Sequence, residues 1–227
     1  MAEAFRTIRF HAQPVMEAAR LLTEAIALQV GQVRLAVAGG SVAPVLGAVR
    51  RNLGPGLWQR VRLTWVDERC VPFAHPDSNR GAAYREGHLD PADPPGLELP
   101  LYLDGETPME ACARVRGAFQ KDFQGHLDAL LLGLGEDGHI ASLFPGRVFP
   151  EAVVLAVGDS PKPPAARITF ALAVLVQAST ALMVVVGNAK LEALQRLQRG
   201  DSALPASSLH DLNVLTDLAA FGPEERT

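Results

Sequence analysis

Asp137 and His139 close the glycine-rich segment Gly133-Leu134-Gly135-Glu136-Asp137-Gly138-His139. Histidine is the natural general base near neutral pH. An aspartate two residues before it can present a polar pair to a cleft, because loops carried by a rigid scaffold are common homes of catalytic groups. The competing reading is a loop histidine that only bonds a backbone carbonyl. The first six residues also match G-x-G-x-x-G, the dinucleotide fingerprint. That fingerprint should open a long helix in the first βαβ unit. Here it lies mid-chain and Pro145-Gly146 follow at once, so a nicotinamide-dependent oxidoreductase finds little support.

Four other segments carry suitable groups. Gly39-Gly40-Ser41 stands before a helical pattern, where glycines let backbone approach a ligand and free helix N–H groups attract an anion. A tight turn with a serine cap is the plainer alternative. Asp67-Glu68-Arg69 puts two acids and a base in a row, to be read as a structural ion pair or as a site arginine held by carboxylates. Lys190, in Gly187-Asn188-Ala189-Lys190, sits at a helix start, against the dipole, which makes sense beside a bound anion. Arg167 opens the run Ile168-Thr169-Phe170, although strand starts usually lie on the edge away from a ligand.

These groups need elements to hold them. Apolar residues at Val15, Ala18, Ala19, Leu22, Ile26 and Val30 predict a helix over 14–30. Further helices are expected near 43–53, 78–88, 107–125 and 188–199, with Ser78 or Asp77 as a cap. Strands are expected at 33–38, 61–66, 127–132 and 183–186, with a short one at 213–215 and weaker ones at 153–157 and 167–171. Strands alternating with helices imply βαβ units and a mostly parallel sheet. The apolar run Ala129 to Leu132 implies a sheet covered on both faces. In such sheets ligands bind beyond the carboxyl ends of the strands, where the GGS, DER, GEDGH and GNAK segments fall. The Pro-rich segments 90–96 and 161–164 read as surface loops, and the whole chain, 1–227, reads as one domain.

Composition narrows the function classes. The 227 residues carry 21 basic and 25 acidic side chains, a formal charge of −4. With no extended basic run, nucleic-acid binding lacks electrostatic support. An anionic small molecule would need a local cluster of cations. Only three are lysines: Lys121, Lys162 and Lys190. Lys121 falls in a helix and Lys162 in a Pro-rich loop, with no assigned role. The two cysteines, Cys70 and Cys112, lack C-x-x-C spacing, and the histidines lack ligand spacing, so neither a disulfide scaffold nor a metal site is expected. Ser208-Leu209-His210-Asp211 reads as a cap or turn rather than a triad. The 171–187 stretch is broken by Gln177, Ser179 and Thr180, and reads as helix then strand rather than a membrane span. The opening MAEAFRTIRF has no apolar signal region, so a cytoplasmic protein is expected.

Four segments in order, AVAGGS, WVDERCVPFAHPDSN, LLLGLGEDGHIASLFPG and RITF with VVVGNAK, resemble the 6-phosphogluconolactonase family, related to glucosamine-6-phosphate deaminase. The resemblance spans about residues 33–200. It implies a modified Rossmann-like α/β sandwich and a hydrolase of the pentose phosphate pathway that needs no metal or cofactor. Its substrate would be 6-phospho-D-glucono-1,5-lactone, and the enzyme is expected to be a monomer without a nucleic-acid or membrane partner. Carried onto this chain, the catalytic group would be His139 with Asp137 and Arg69. Gly39, Gly40, Ser41, Arg167 and Lys190 would surround the substrate, chiefly its phosphate. The deaminase is the alternative. Its motif continues DGHIAFNEPG, with a glutamate supporting the histidine, where this chain places Phe144. Ile140, where lactonases usually carry threonine, is nearer the deaminase, and GGSVAP departs from the usual GGSTP. A non-catalytic sugar-phosphate sensor is the third reading.

Overall fold

Successive residues of a strand face opposite sides of the sheet. Leu130, Leu131 and Leu132 are all fully buried, so the strand that carries them is covered on both faces. Each such leucine contributes roughly 1.5–3 kcal/mol on burial. The computed structural model describes residues 6–222. The first five residues of the segment read for a secretory signal lie outside them.

The chain runs β1 (Arg6–Phe10), α1 (Pro14–Leu28), β2 (Val33–Val37), α2 (Ala43–Trp58), β3 (Val61–Trp65) and β4 (Asp67–Arg69). It continues through α3 (Asn79–Arg85), β5 (Leu97–Leu99), α4 (Pro108–Asp122), β6 (Ala129–Gly133), β7 (Val154–Val157) and β8 (Arg167–Phe170). The last part is α5 (Leu172–Leu175), β9 (Thr180–Val185), α6 (Leu191–Gln198) and β10 (Leu212–Thr216). Seven strands form one parallel sheet in the order β1-β10-β9-β6-β2-β3-β5. Helices flank it, as in α1, whose Ala18, Ala19, Leu22 and Ile26 form its buried face. None of the helices in the described residues is long and apolar enough to cross a membrane.

The order carries a functional consequence. From β2 the chain builds outward through β3 to β5; from β6 it builds the other way through β9 and β10. The reversal falls between β2 and β6, and a crevice opens at the carboxyl ends of strands at such a switch point. The Gly39–Ser41 and Gly135–His139 loops leave these two adjacent strands.

Three strands stand apart. β4, β8 and β7 form a small antiparallel sheet. The 153–157 and 167–171 strands therefore exist but pair outside the main sheet, and 67–69, placed from sequence just past the end of a strand, is itself a strand. The helix expected over 188–199 begins as a 3₁₀ turn, Asn188–Lys190, before α6. The helix near 43–53 extends to Trp58 by joining a second turn across Gly54 (φ 66°, ψ 173°) and Pro55.

Candidate active site

The loop after β6 is tight. Gly135 N–H donates to the His139 carbonyl at 2.9 Å, and Gly138 N–H to the Gly135 carbonyl at 3.0 Å. Gly138 takes φ +91°, which favours glycine. No long helix follows, so the loop is not a dinucleotide fingerprint. Its effect is to fold His139 back over Gly135, with Nδ1 2.5 Å from Asp137 Oδ1. When Nδ1–H donates to this carboxylate, the Nε2 lone pair is left free for chemistry. Burial pushes the Asp137 carboxyl up, but the hydrogen bond and charge of His139, with backbone N–H donors, outweigh it and hold it below its ordinary value. Asp137 is therefore ionised at neutral pH. The Phe144 ring packs on the other partner of the pair, its centroid 5.1 Å from that of His139.

The acids of the DER segment are buried, and they do not hold the arginine's guanidinium. Glu68 accepts from the backbone N–H groups of Arg69 (2.7 Å), Asn79 (2.7 Å) and Arg80 (2.8 Å), and from Ser78 Oγ (3.2 Å). It thus neutralises the start of α3, whose cap is Ser78, accepting from Gly81 N–H at 2.9 Å. Burial still raises the Glu68 pKa, against the pull of those backbone donors. Asp67 accepts from Ser142 Oγ at 2.6 Å, which ties the histidine loop to β4. Arg69 instead donates through Nη1 to the Asp77 carbonyl at 2.7 Å. Among the described residues no ion pair joins the Arg69 side chain to either acid, each of which is occupied by donors of its own.

The register of the small sheet pairs Arg69 directly with Arg167. In an antiparallel pair the start of one strand meets the end of the other. That is why Arg167, at a strand start, still reaches the cleft. Across from them, Lys190 Nζ lies 3.3 Å from Ser41 Oγ. Ser41 belongs to the 3₁₀ turn Gly40–Val42 that opens α2, whose first amides have no intrahelical partners. Gly39 has a second reason to be glycine: a Cβ there would lie 2.1 Å from Asn79 Oδ1. Asn79 is fixed in turn by donating through Nδ2 to the Asp67 carbonyl at 3.0 Å.

Together these residues line a cleft of about 310 Å³. Its positive charge is concentrated. Burial holds the Lys190 ammonium below its ordinary pKa, Lys162 adds to this, and Glu136 and Asp217 oppose it. Burial also lowers Arg167, opposed by Asp67 and reinforced by Arg69. Cations that disfavour one another's charge favour an anion among them. The Cys70 thiol, beside Arg69 in sequence, is pushed up to about 11 by burial and is no thiolate nucleophile at neutral pH.

A family model described as glucosamine-6-phosphate isomerases/6-phosphogluconolactonase matches residues 10–216. The chain belongs to this family. Among its relatives, the rat protein named 6-phosphogluconolactonase is 38% identical over 78% of this chain and 73% of its own length. The human protein of that name is 36% identical over 76% and 72%. The structure of 6-phosphogluconolactonase from Trypanosoma brucei superposes with a TM-score of 0.76 at 26% identity, covering 96% of this chain and 98% of the other. A monomeric glucosamine-6-phosphate deaminase shares the fold, with a TM-score of 0.75 at 20% identity over 95% and 99%.

In this family member the cleft is lined by seven of the eight residues singled out from sequence, Gly39, Gly40, Ser41, Arg69, His139, Arg167 and Lys190, and the eighth, Asp137, stands behind His139. Sequence reasoning left four others out of the site. Lys162, left without a role, lines the cleft, as do Asn79 and Glu136. Asn79 had a signal, since it closes the DSN segment. Lys162 had only its scarcity. Asp67 is the fourth omission, a buried anchor whose partner Ser142 lies far along the chain.

Proposed function

We propose that this chain hydrolyses 6-phospho-D-glucono-1,5-lactone to 6-phospho-D-gluconate in the pentose phosphate pathway, as a cytoplasmic monomer. The observation that carries this is the His139–Asp137 pair at the edge of a cleft lined by cations. Lactone opening is attack of water on an ester carbonyl. His139 Nε2 takes a proton from that water and delivers one to the departing ring oxygen, so proton count is restored within one turnover. Asp137 holds the ring and stabilises the imidazolium formed in between. Arg69 steadies the oxyanion that develops on the C1 carbonyl. Lys190, Ser41 and the Gly39–Gly40 backbone hold the phosphate, whose remote binding energy positions the ring. No covalent nucleophile takes part.

Phe144 separates this reading from the deaminase. The ring that packs on His139 offers no carboxylate, so among the described residues Asp137 is the acid that supports the histidine. The test uses lactone generated by glucose-6-phosphate dehydrogenase, its disappearance followed with and without the protein. Acceleration over spontaneous hydrolysis is expected; its absence rejects the proposal, and ammonia release from glucosamine 6-phosphate would identify the deaminase instead.

Lys190 sets a pH dependence. Its ammonium binds phosphate only when protonated, and its pKa in the free protein lies below the ordinary 10.5. Affinity for 6-phosphogluconate is therefore present at neutral pH and declines as pH rises, beginning before 10.5. Lys190→Arg, which stays charged, should hold its affinity to higher pH than the wild type. Calorimetric titrations across pH with superimposable profiles for the two proteins would remove Lys190 from the phosphate site.

A further inference from the structure

Arg167 lines the cleft, yet only 4% of its surface is exposed and each of its three nitrogens already has a protein partner. Nε donates to the Pro164 carbonyl at 3.1 Å and Nη2 to the Lys162 carbonyl at 2.8 Å. Nη1 lies 3.5 Å from Ser142 Oγ and 3.9 Å from Asp67 Oδ2. A guanidinium has five N–H groups, and these contacts leave little of it for a ligand. Two of them end on the backbone of one short segment, Lys162–Pro164.

That segment is fastened from its other side as well. Ser160 Oγ donates to the Lys162 carbonyl at 2.9 Å and accepts from Lys162 N–H at 3.3 Å. The Ser160 N–H donates to the Ala165 carbonyl at 3.2 Å. The loop is thus a tight clasp whose floor is the Arg167 guanidinium. What the clasp presents is the Lys162 side chain, which lines the cleft. Among the described residues the Lys162 ammonium enters no ion pair, whereas Arg147 and Arg196 are both paired with aspartates. Its charge reaches Lys190, the residue bonded to Ser41 at the opening of α2. Two ammonium groups lining one cleft repel each other unless an anion lies between them. Lysine is a compact point charge suited to phosphate, whereas the arginine fork suits fixed, planar acceptors such as the two carbonyls.

We propose that Lys162 contacts the phosphate of the sugar phosphate and sets the preference for phosphorylated ligands, and that Arg167 is a positioning residue acting through Lys162. This rests on the sugar-phosphate reading of the cleft and reassigns Arg167 from phosphate ligand to loop anchor.

The test is calorimetric binding of 6-phosphogluconate and of gluconate to wild type, Lys162→Met, Arg167→Lys and the double variant. Wild type should prefer the phosphorylated ligand. Lys162→Met should weaken 6-phosphogluconate about tenfold or more, the scale of a charge-assisted hydrogen bond, with gluconate changed less than about twofold. Arg167→Lys keeps a charge but cannot span both carbonyls, so it should lose a similar part of that preference. The double variant should lose no more than Lys162→Met alone, since two residues acting through one contact are not additive. An unchanged preference in Lys162→Met overturns the proposal, and that variant is a change at an exposed loop residue, so the result stands even if Arg167→Lys folds poorly. Additive losses in the double variant overturn the positioning role, because they require Arg167 to touch the phosphate itself. Binding is read without turnover, so a wild type that fails to hydrolyse the lactone would reject the lactonase reading separately.

Discussion

Replacing His139 by alanine is expected to lower kcat by about 10²- to 10⁴-fold, the usual scale for a general acid–base group. Affinity for 6-phosphogluconate should stay within about threefold, since the phosphate groups carry most ground-state binding. The reason is the division of labour in the cleft. His139 stands on the β6 loop with Nδ1 committed to Asp137, while the cations stand on other loops. Removing the imidazole deletes the proton acceptor and leaves Ser41, Lys190 and Arg69 in place. Steady-state kinetics paired with calorimetry check this, and near-wild-type kcat would end the role given to His139. Joint loss of binding and turnover would instead make His139 a substrate-binding group.

Gly135→Ala is expected to cost at least about a hundredfold in kcat with little change in melting temperature. A Cβ at Gly135 would lie 2.1 Å from His139 Nδ1, 2.3 Å from its Cε1 and 2.6 Å from Asp137 Oδ1. All three are side-chain atoms of the pair, which can swing aside without disturbing the core. The fold therefore survives, but the histidine leaves its place, and displacements near 1 Å can cost about 10²-fold in turnover. The variant separates precise placement from mere presence, because both members of the pair remain. Thermal unfolding together with kcat decides it: a large fall in melting temperature, or unchanged turnover, would show that the glycine serves something other than the pair.

The local signals in this chain were strong where packing and pattern agree. The period of Ala18, Ala19, Leu22 and Ile26 marks α1, and the apolar run at Leu130 marks a central strand. Glycine, serine and histidine after strand ends marked the loops, because turn chemistry is written in a few neighbouring residues. The edge strands were not legible. β1 is RTIRF, with only two apolar residues among five at a sheet edge, and β5 has three residues. Their strand character comes from partners far along the chain, as β-propensity largely does.

Sequence by itself determined which residues could bear the chemistry and which strands would deliver them. Tertiary structure decided what those residues do to one another. The switch between β2 and β6 set the Ser41 and His139 loops side by side. The antiparallel pairing of 67–69 with 167–169 brought Arg69 onto Arg167 and left Asp67 to Ser142. The Arg167 guanidinium donates to the Lys162 and Pro164 carbonyls and so fixes the loop that brings Lys162 to the cleft. Such contacts join residues with no shared local pattern, and their energy exists only once the chain has closed the distance between them.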